Sequence, residues 1–233
     1  MDVTDPSAVI TAAVHRFIDD LGGLDVLVNN AGIAILGPVE TLPESAWRQV
    51  METDFFGALT CMRAVLPHMR QRRRGLIINV SSANGRFAGP GFGAYAAAKF
   101  ALEAVSEALR LEMSPYGVKV TVIEPGNYRT HIATAARQSS ESLGRETAEV
   151  LYPALMEDVA AFLEQHGETS GDPVEVARLI ADVVADPTPA FRFPVGTVGV
   201  RTADEWIRDH RTRPWSDLEE EYLRRGTDRD RDG

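Results

Sequence analysis

The sequence predicts an α/β fold in which helices pack on a doubly wound parallel sheet. The spacing of apolar residues switches repeatedly between the helical period and the continuous pattern of buried strands. Helical segments of a dozen or more residues separate successive strands, and this arrangement produces right-handed βαβ crossovers. Three strands end in unusual runs of small or polar residues. Because ligands bind at the carboxyl ends of parallel strands, these runs predict one shared site.

The predicted elements alternate regularly along the chain. Short apolar runs predict strands at 24–28, 76–80, 118–123 and 191–194. Apolar stripes at helical spacing predict helices over about 9–18, 44–72, 94–113 and 173–184. The runs that follow the strands are Asn29-Asn30-Ala31-Gly32, Ser81-Ser82 and Pro125-Gly126. We expect these three runs to lie at one edge of the sheet.

The composition suits one globular domain, or one with a small appendage, and argues against general binding to nucleic acid or anionic membranes. The 233 residues carry a formal net charge of −10, which argues against binding to polyanions. No apolar run reaches the ~20 residues that span a bilayer, and the first residues do not resemble a signal peptide. A single cysteine, Cys61, excludes an intrachain disulfide framework and is compatible with the cytoplasm. The one basic run, at 70–74, is either a phosphate- or nucleic-acid-binding patch or a solvated helix C-terminus, and the helix dipole favours the second.

Tyr95 and Lys99 are the strongest candidates for chemistry. Their spacing places both side chains on one face of the helix predicted at 94–113. A nearby ammonium favours the ionised form of a tyrosine, so Tyr95 could exchange a proton with a substrate oxygen. Ser82, at the end of a strand, could hydrogen-bond the same oxygen. The alternative is an ordinary exposed pair, but five tyrosines and two lysines in 233 residues would give only about 0.04 such pairs by chance.

Four motifs together resemble the short-chain dehydrogenase/reductase family. They occur in the family's order and at family-like separations: Asn29-Asn30-Ala31-Gly32, Ser82, Tyr95-Ala-Ala-Ala-Lys99, and Pro125-Gly126 with Thr130. The resemblance covers about residues 1–200. It implies a Rossmann-like fold and an oxidoreductase that uses NAD or NADP to interconvert an alcohol and a carbonyl by hydride transfer.

The resemblance also implies a role for each of these positions. Tyr95 would be the general acid/base, Lys99 would bind the nicotinamide ribose and tune Tyr95, and Ser82 would orient and polarise the substrate carbonyl. The cofactor would be contacted by Tyr95 and Lys99 and by Asp2, Val3, Asn30, Ala31, Gly32, Pro125, Gly126 and Thr130. For Asn29 the alternative is structural, because its side chain could tie adjacent strands together by hydrogen bonds.

Two features depart from the family's pattern. Asp54 stands where members usually carry an asparagine that acts as a fourth catalytic residue. If the main-chain carbonyl carries that role, Asp54 keeps it, whereas a carboxylate paired with Lys99 would weaken the tuning of Tyr95. The glycine-rich loop that cradles a pyrophosphate after the first strand is absent, and the first strands with it. We expect either a shortened sequence, in which Met1 occupies an internal position of a longer chain, or a shorter protein with another role.

Substrate choice in this family resides in the loop after the sixth strand, here about 131–171. Its apolar residues predict either a helical lid over a hydrophobic substrate or plain packing on the domain. The runs around 171–173 and 191–196 resemble the hydroxysteroid- and retinol-dehydrogenase-like branch, which implies a bulky apolar secondary alcohol or ketone. We expect residues 1–200 to form an incomplete dinucleotide-binding and catalytic domain, and 201–233 to form a helical extension with a charged tail.

Partners other than a small substrate are implied only by analogy. The helices at 44–72 and 94–113 resemble those that form the dimer interface of relatives, which implies a homodimer or homotetramer. The five histidines lack metal-ligand spacing, so we expect no metal. Two other functions remain open. One is a non-catalytic relative that acts as a binding module, and the other is a lyase or epimerase of the extended branch, for which the region after 171 leaves little room.

Overall fold

The computed structural model describes residues 1–132, 135–136, 145–198, 201–217, 219–220 and 224. Its centre is a parallel sheet whose order across the sheet is the order along the chain: β1 (Val26–Asn29), β2 (Gly75–Val80), β3 (Val118–Pro125) and β4 (Arg192–Val195). Each strand lies within two residues of its predicted bounds. The α/β fold with a parallel sheet is therefore confirmed.

Helices cover both faces of this sheet. The described helices are α1 (Ser7–Leu21), α2 (Glu44–Met51), α3 (Ala58–Arg72), α4 (Gly93–Met113), α5 (Arg145–Leu151), α6 (Pro153–Thr169), α7 (Pro173–Ala185) and α8 (Ala203–Thr212). On one face, Ile77 of β2 packs with Met62 of α3 and Leu102 of α4. On the other face, its neighbour Ile78 packs with Val183 of α7. Successive residues of a strand point to opposite faces, so an apolar run builds both halves of the core.

The long helix predicted over 44–72 is not one α-helix. Between α2 and α3 lies a π-helical segment, Glu52–Gly57, which the spacing of apolar residues did not predict. Wide turns of this kind are frequent at functional sites, and this one carries Asp54 into the interior, where it is 1% exposed. The first residues of the chain pack on the segment, because a methyl group on Gly57 would approach Val3 O to 2.8 Å.

The C-terminal third differs in detail from the prediction. Helices α5 and α6 lie in the segment predicted as a lid, of which 133–134 and 137–144 are outside the described residues. A short antiparallel hairpin, β5 (Thr197–Val198) and β6 (Arg201–Thr202), precedes α8 and was not predicted. The charged tail at 225–233 is also outside the described residues. Within the described part of the chain, no helix is both long and apolar enough to cross a membrane.

Candidate active site

A buried ladder of amides joins the strands beneath the predicted site. Asn29 Nδ2 donates to Asn79 Oδ1 at 2.8 Å, and Asn79 Nδ2 donates to Ser106 Oγ at 2.8 Å. The Ser106 hydroxyl in turn donates to Leu102 O at 2.6 Å. The structural alternative for Asn29 is therefore confirmed: its side chain ties β1 to β2 and, through Asn79, to α4. Asn79 is fully buried, so each of these bonds satisfies a group that has no access to water.

Tyr95 and Lys99 lie one turn apart on α4, as their spacing predicted. The Lys99 Nζ atom lies 5.6 Å from the centroid of the Tyr95 ring. It also donates to Val80 O at 3.2 Å, at the carboxyl end of β2. Lys99 is only 3% exposed, and a buried ammonium requires partners of this kind. The helix therefore holds a fixed positive charge beside the tyrosine.

Asp54 forms an ion pair with Lys99. Asp54 Oδ2 lies 3.2 Å from Lys99 Nζ, and Asp54 Oδ1 accepts a hydrogen bond from the Ile33 N–H at 2.8 Å. Gly32 sits directly against the pair, since a methyl group there would lie 3.0 Å from Asp54 Oδ2 and 3.3 Å from Lys99 Nζ. Any side chain at this position would require the ion pair to shift. The structure thus shows the geometry of the second alternative for Asp54, in which the carboxylate pairs with the lysine.

Burial and charge act against each other in this pair. Burial raises the pKa of Asp54 by more than the charge of Lys99 and the bond from Ile33 lower it. Burial alone would lower the pKa of Lys99, but the charge interactions with Tyr95 and Asp54 outweigh it, and the pKa of Lys99 is raised. The surroundings therefore favour the protonated form of Lys99, whereas burial disfavours the ionised form of Asp54.

Ser82 caps the short turn that follows β2. Its hydroxyl oxygen accepts a hydrogen bond from the Asn84 N–H at 3.1 Å, at the start of the 3₁₀ turn Ala83–Gly85. The serine is 8% exposed. Because a hydroxyl is both a donor and an acceptor, its proton remains available for a ligand oxygen.

The other predicted cofactor residues lie at separate points. Gly32 belongs to the Asp54–Lys99 group, whereas Asn30, Ala31 and Thr130 are exposed and Val3 packs on Gly57. Pro125 ends β3, and the N–H of Gly126 donates to Val195 O at 2.8 Å. The Asp2 carboxylate accepts hydrogen bonds from the Thr4 N–H and hydroxyl, which lower the pKa of Asp2.

Sequence reasoning missed a second group of charged side chains behind the site, which we call the inner ion-pair cluster: Arg86, Glu103, Glu124 and Arg192. Arg86 Nη1 lies 2.9 Å from Glu124 Oε1. Arg192 Nε lies 3.3 Å from the same oxygen and 3.2 Å from Glu103 Oε2, while its Nη2 lies 2.7 Å from Glu107 Oε2. The available signal was Glu124 itself, because a carboxylate inside an apolar strand is almost never buried without a partner.

Comparisons with known proteins bear on the family and the fold of the chain. A family model described as short chain dehydrogenase matches residues 1–141. The chain is 38% identical over 215 residues to the 3-ketodihydrosphingosine reductase of Bacteroides thetaiotaomicron, which covers 90% of this chain and 77% of that protein. A short-chain dehydrogenase structure from Streptomyces avermitilis superposes with a TM-score of 0.70 at 30% identity, over 97% of this chain and 79% of that one. A gluconate 5-dehydrogenase from Burkholderia cenocepacia in complex with NADP and tartrate matches with a TM-score of 0.56 at 31% identity, over 58% and 52%.

Proposed function

The chain belongs to the short-chain dehydrogenase family, and from that premise we propose that it is an NAD- or NADP-dependent oxidoreductase that interconverts a carbonyl and an alcohol by hydride transfer. One observation carries the proposal. The buried ammonium of Lys99 lies 5.6 Å from the ring centroid of Tyr95, at the carboxyl edge of the sheet. The burial of Lys99 distinguishes this pair from an exposed Tyr/Lys pair, in which both side chains would keep their hydration.

The residues around Lys99 fit the nicotinamide ribose. Its Nζ carries three N–H donors, and its described contacts are Val80 O and Asp54 Oδ2. At least one donor therefore remains for a ribose hydroxyl, because Asp54 Oδ2 lies at ion-pair distance without completing a hydrogen bond. The cofactor, when bound, supplies or accepts the hydride. Further contacts to it are proposed from Asp2, Val3, Asn30, Ala31, Gly32, Pro125, Gly126 and Thr130, all near strand ends or beside the π segment.

The side chains of this chain handle the proton. In the reducing direction Tyr95 Oη donates its proton to the carbonyl oxygen, and in the oxidising direction it accepts the proton of the alcohol. The Lys99 ammonium stabilises the negative charge that remains on Tyr95. The Ser82 hydroxyl donates a hydrogen bond to the same substrate oxygen as negative charge develops there. A positioned acid/base contributes roughly 10²–10⁴ to the rate of such a step, and a hydrogen bond to the developing oxyanion contributes about 10²–10³.

An apolar surface beside Tyr95 supports a hydrophobic substrate. Phe92 and Tyr95 pack with Ile132, with Leu155 and Val159 of α6, and with Ala34 and Leu36 from the segment after β1. We therefore propose that α5 and α6 form a lid over a bulky apolar ketone or secondary alcohol. The relative named as a 3-ketodihydrosphingosine reductase makes 3-ketodihydrosphingosine the first substrate to test.

The proposal extends to a homodimer or homotetramer. Phe56 beside α3 and Phe100 and Leu111 on α4 are large apolar residues that are 44%, 38% and 72% exposed. Burying such side chains against a second copy would remove apolar surface from water. Sedimentation of the purified chain tests this part separately.

The decisive experiment measures binding and turnover in the same samples. The chain is titrated with NADH and NADPH, and reduction of 3-ketodihydrosphingosine and of smaller apolar ketones is followed by loss of cofactor absorbance. We expect Tyr95→Phe to lower kcat by at least ~100-fold while the cofactor Kd changes little. Tyr116→Phe is the matched control, because Tyr116 is 40% exposed and lies at the far end of α4. A parent chain that binds neither cofactor, or a Tyr95→Phe variant with full turnover, would refute the proposal.

A further inference from the structure

The inner ion-pair cluster joins the separate segments that build the proposed site. Arg86 directly follows the turn that Ser82 caps, and Glu103 lies one helical turn beyond Lys99 on α4. Glu124 is the next-to-last residue of β3, just before Pro125-Gly126, and Arg192 begins β4. The cluster therefore holds three sheet-edge segments and one helix by charge-assisted contacts.

The turn that follows Ser82 is contacted on two sides. At its far end, Arg86 reaches Glu124 with its guanidinium, and Arg86 O accepts a hydrogen bond from Arg211 Nε of α8 at 3.2 Å. On its inner side, Gly85 lies against Glu103, because a methyl group there would come within 3.1 Å of Glu103 Cγ. These contacts hold the turn at Gly85 and Arg86, three and four residues after Ser82.

The cluster is a poor device for stability. Glu124 is 0% exposed and Glu103 is 5% exposed, and both carboxylates lose hydration. Burial and then the negative charge of Glu124 raise the pKa of Glu103. Of the five buried side-chain atoms that lack a hydrogen-bond partner among the described residues, three lie in or beside this cluster: Ser81 Oγ, Glu103 Oε1 and Glu124 Oε2. Buried charges that cost stability beside a reaction site are expected to serve geometry instead.

We propose that Glu124 is a positioning residue: through Arg86 it holds the Ser82 turn at the distance and angle from which the serine hydroxyl acts on the substrate carbonyl. This inference rests on the proposed function, since it assigns Ser82 its role in carbonyl reduction. Glu124 itself does not touch the substrate. It acts along a chain of contacts from β3 to Arg86, and from Arg86 to the turn.

The test compares Glu124→Gln with Glu107→Gln. Glu107 is the matched control because it contacts the same Arg192 at 2.7 Å but its side chain is 61% exposed. We expect Glu124→Gln to lower kcat for ketone reduction by roughly 10- to 100-fold, the cost of a misplacement of about 1 Å. The KM for the ketone and the Kd for NADPH should change by less than about threefold. Glu107→Gln should match the parent.

A double-mutant cycle separates positioning from general loss of structure. In a Ser82→Ala background the effect of Glu124→Gln on kcat should vanish, because the group that Glu124 positions is gone. If Glu124→Gln does not fold, Arg86→Gln tests the same contact from its partly exposed side and should show the same loss and the same cycle. An unchanged kcat in Glu124→Gln, or a loss that persists in full without Ser82, would overturn the inference.

Hydrogen exchange distinguishes failure of this inference from failure of the proposed function. The Gly85 N–H donates to Ser82 O at 2.8 Å, and the Arg86 N–H donates to Ala83 O at 3.0 Å. In Glu124→Gln these two amides should exchange at least ~10-fold faster while amides of β2 stay protected. If exchange of these two amides is unchanged in Glu124→Gln, Glu124 does not hold the Ser82 turn, even if the enzyme is active. A parent without turnover or cofactor binding refutes the proposed function, whatever the exchange shows.

Discussion

Replacing Asp54 with asparagine tests whether the attraction to Lys99 or the lost hydration of the carboxylate contributes more to the free energy of unfolding. The amide has nearly the same shape as the carboxylate, and its oxygen can keep the 2.8 Å hydrogen bond from the Ile33 N–H. What changes is the charge that faces Lys99 Nζ at 3.2 Å. Both side chains are almost fully buried, so solvent screens this change very little.

Two large and opposing contributions decide the outcome. At 3.2 Å the attraction between the two charges is ~5 kcal/mol for an effective dielectric constant of about 20. Against it stands the loss of hydration of the carboxylate, which costs several kcal/mol per buried ion. Because burial raises the pKa of Asp54 despite Lys99, the second contribution is the larger one. We therefore expect the free energy of unfolding of Asp54→Asn to lie within about 1 kcal/mol of the parent at neutral pH.

The pH dependence of unfolding tests independently whether the ionised Asp54 stabilises or destabilises the fold. A carboxyl group whose pKa is raised on folding stabilises the fold while it is protonated, below its ordinary value of 3.8. That stabilisation is lost as the pH rises through the raised pKa, whereas an asparagine does not ionise and its contribution does not change with pH. In urea denaturation, the free energy of unfolding of the variant should therefore rise relative to that of the parent from acid to neutral pH.

A different result would contradict this balance. Leaving a buried charge without its partner typically costs 3–5 kcal/mol, so a loss of ~3 kcal/mol or more in Asp54→Asn at neutral pH would mean that the ion pair dominates. Asp54→Leu is the control, because it also removes the acceptor for the Ile33 N–H. It should lose a further ~1–3 kcal/mol at every pH.

Two further substitutions test neighbouring contacts. Gly32→Ala places a methyl group 3.0 Å from Asp54 Oδ2 and 3.3 Å from Lys99 Nζ, so the pair must shift by a few tenths of an ångström. We expect kcat in the ketone assay to fall by up to about 10-fold, and full activity would show that the pair tolerates the displacement. Tyr128→Phe removes the 2.9 Å hydrogen bond to Glu175 and should lower the free energy of unfolding by ~1–2 kcal/mol. Burial and this bond raise the pKa of Tyr128 above its ordinary 10.0. The loss in free energy of unfolding should therefore be full below pH 10.0 and become smaller above it. A difference that does not change with pH would contradict this role of the hydrogen bond.

Much of the framework was accessible from residue order. Apolar runs such as 76–80 and 118–123 located the strands, because a strand buried on both faces must be apolar throughout. The spacing of Tyr95 and Lys99 placed them together, because four residues complete about one helical turn. The structural alternative for Asn29 could be stated from its position at a strand end, although its partner Asn79 could not be named from the sequence.

Contacts between distant segments were decided only in the folded chain. The sequence placed Asp54 in a helix but did not predict the π segment that buries it, because widening a helix by one residue leaves no clear periodic signal. The sequence also did not predict the ion pairs of the inner cluster. Arg86 and Glu124 are separated by 38 residues and Glu103 and Arg192 by 89, so these contacts depend on how the strands pair. Local spacing determined which side chains share a helix face or a strand end. The balance between lost hydration and pairing of buried charges arose only when tertiary packing removed water from around them.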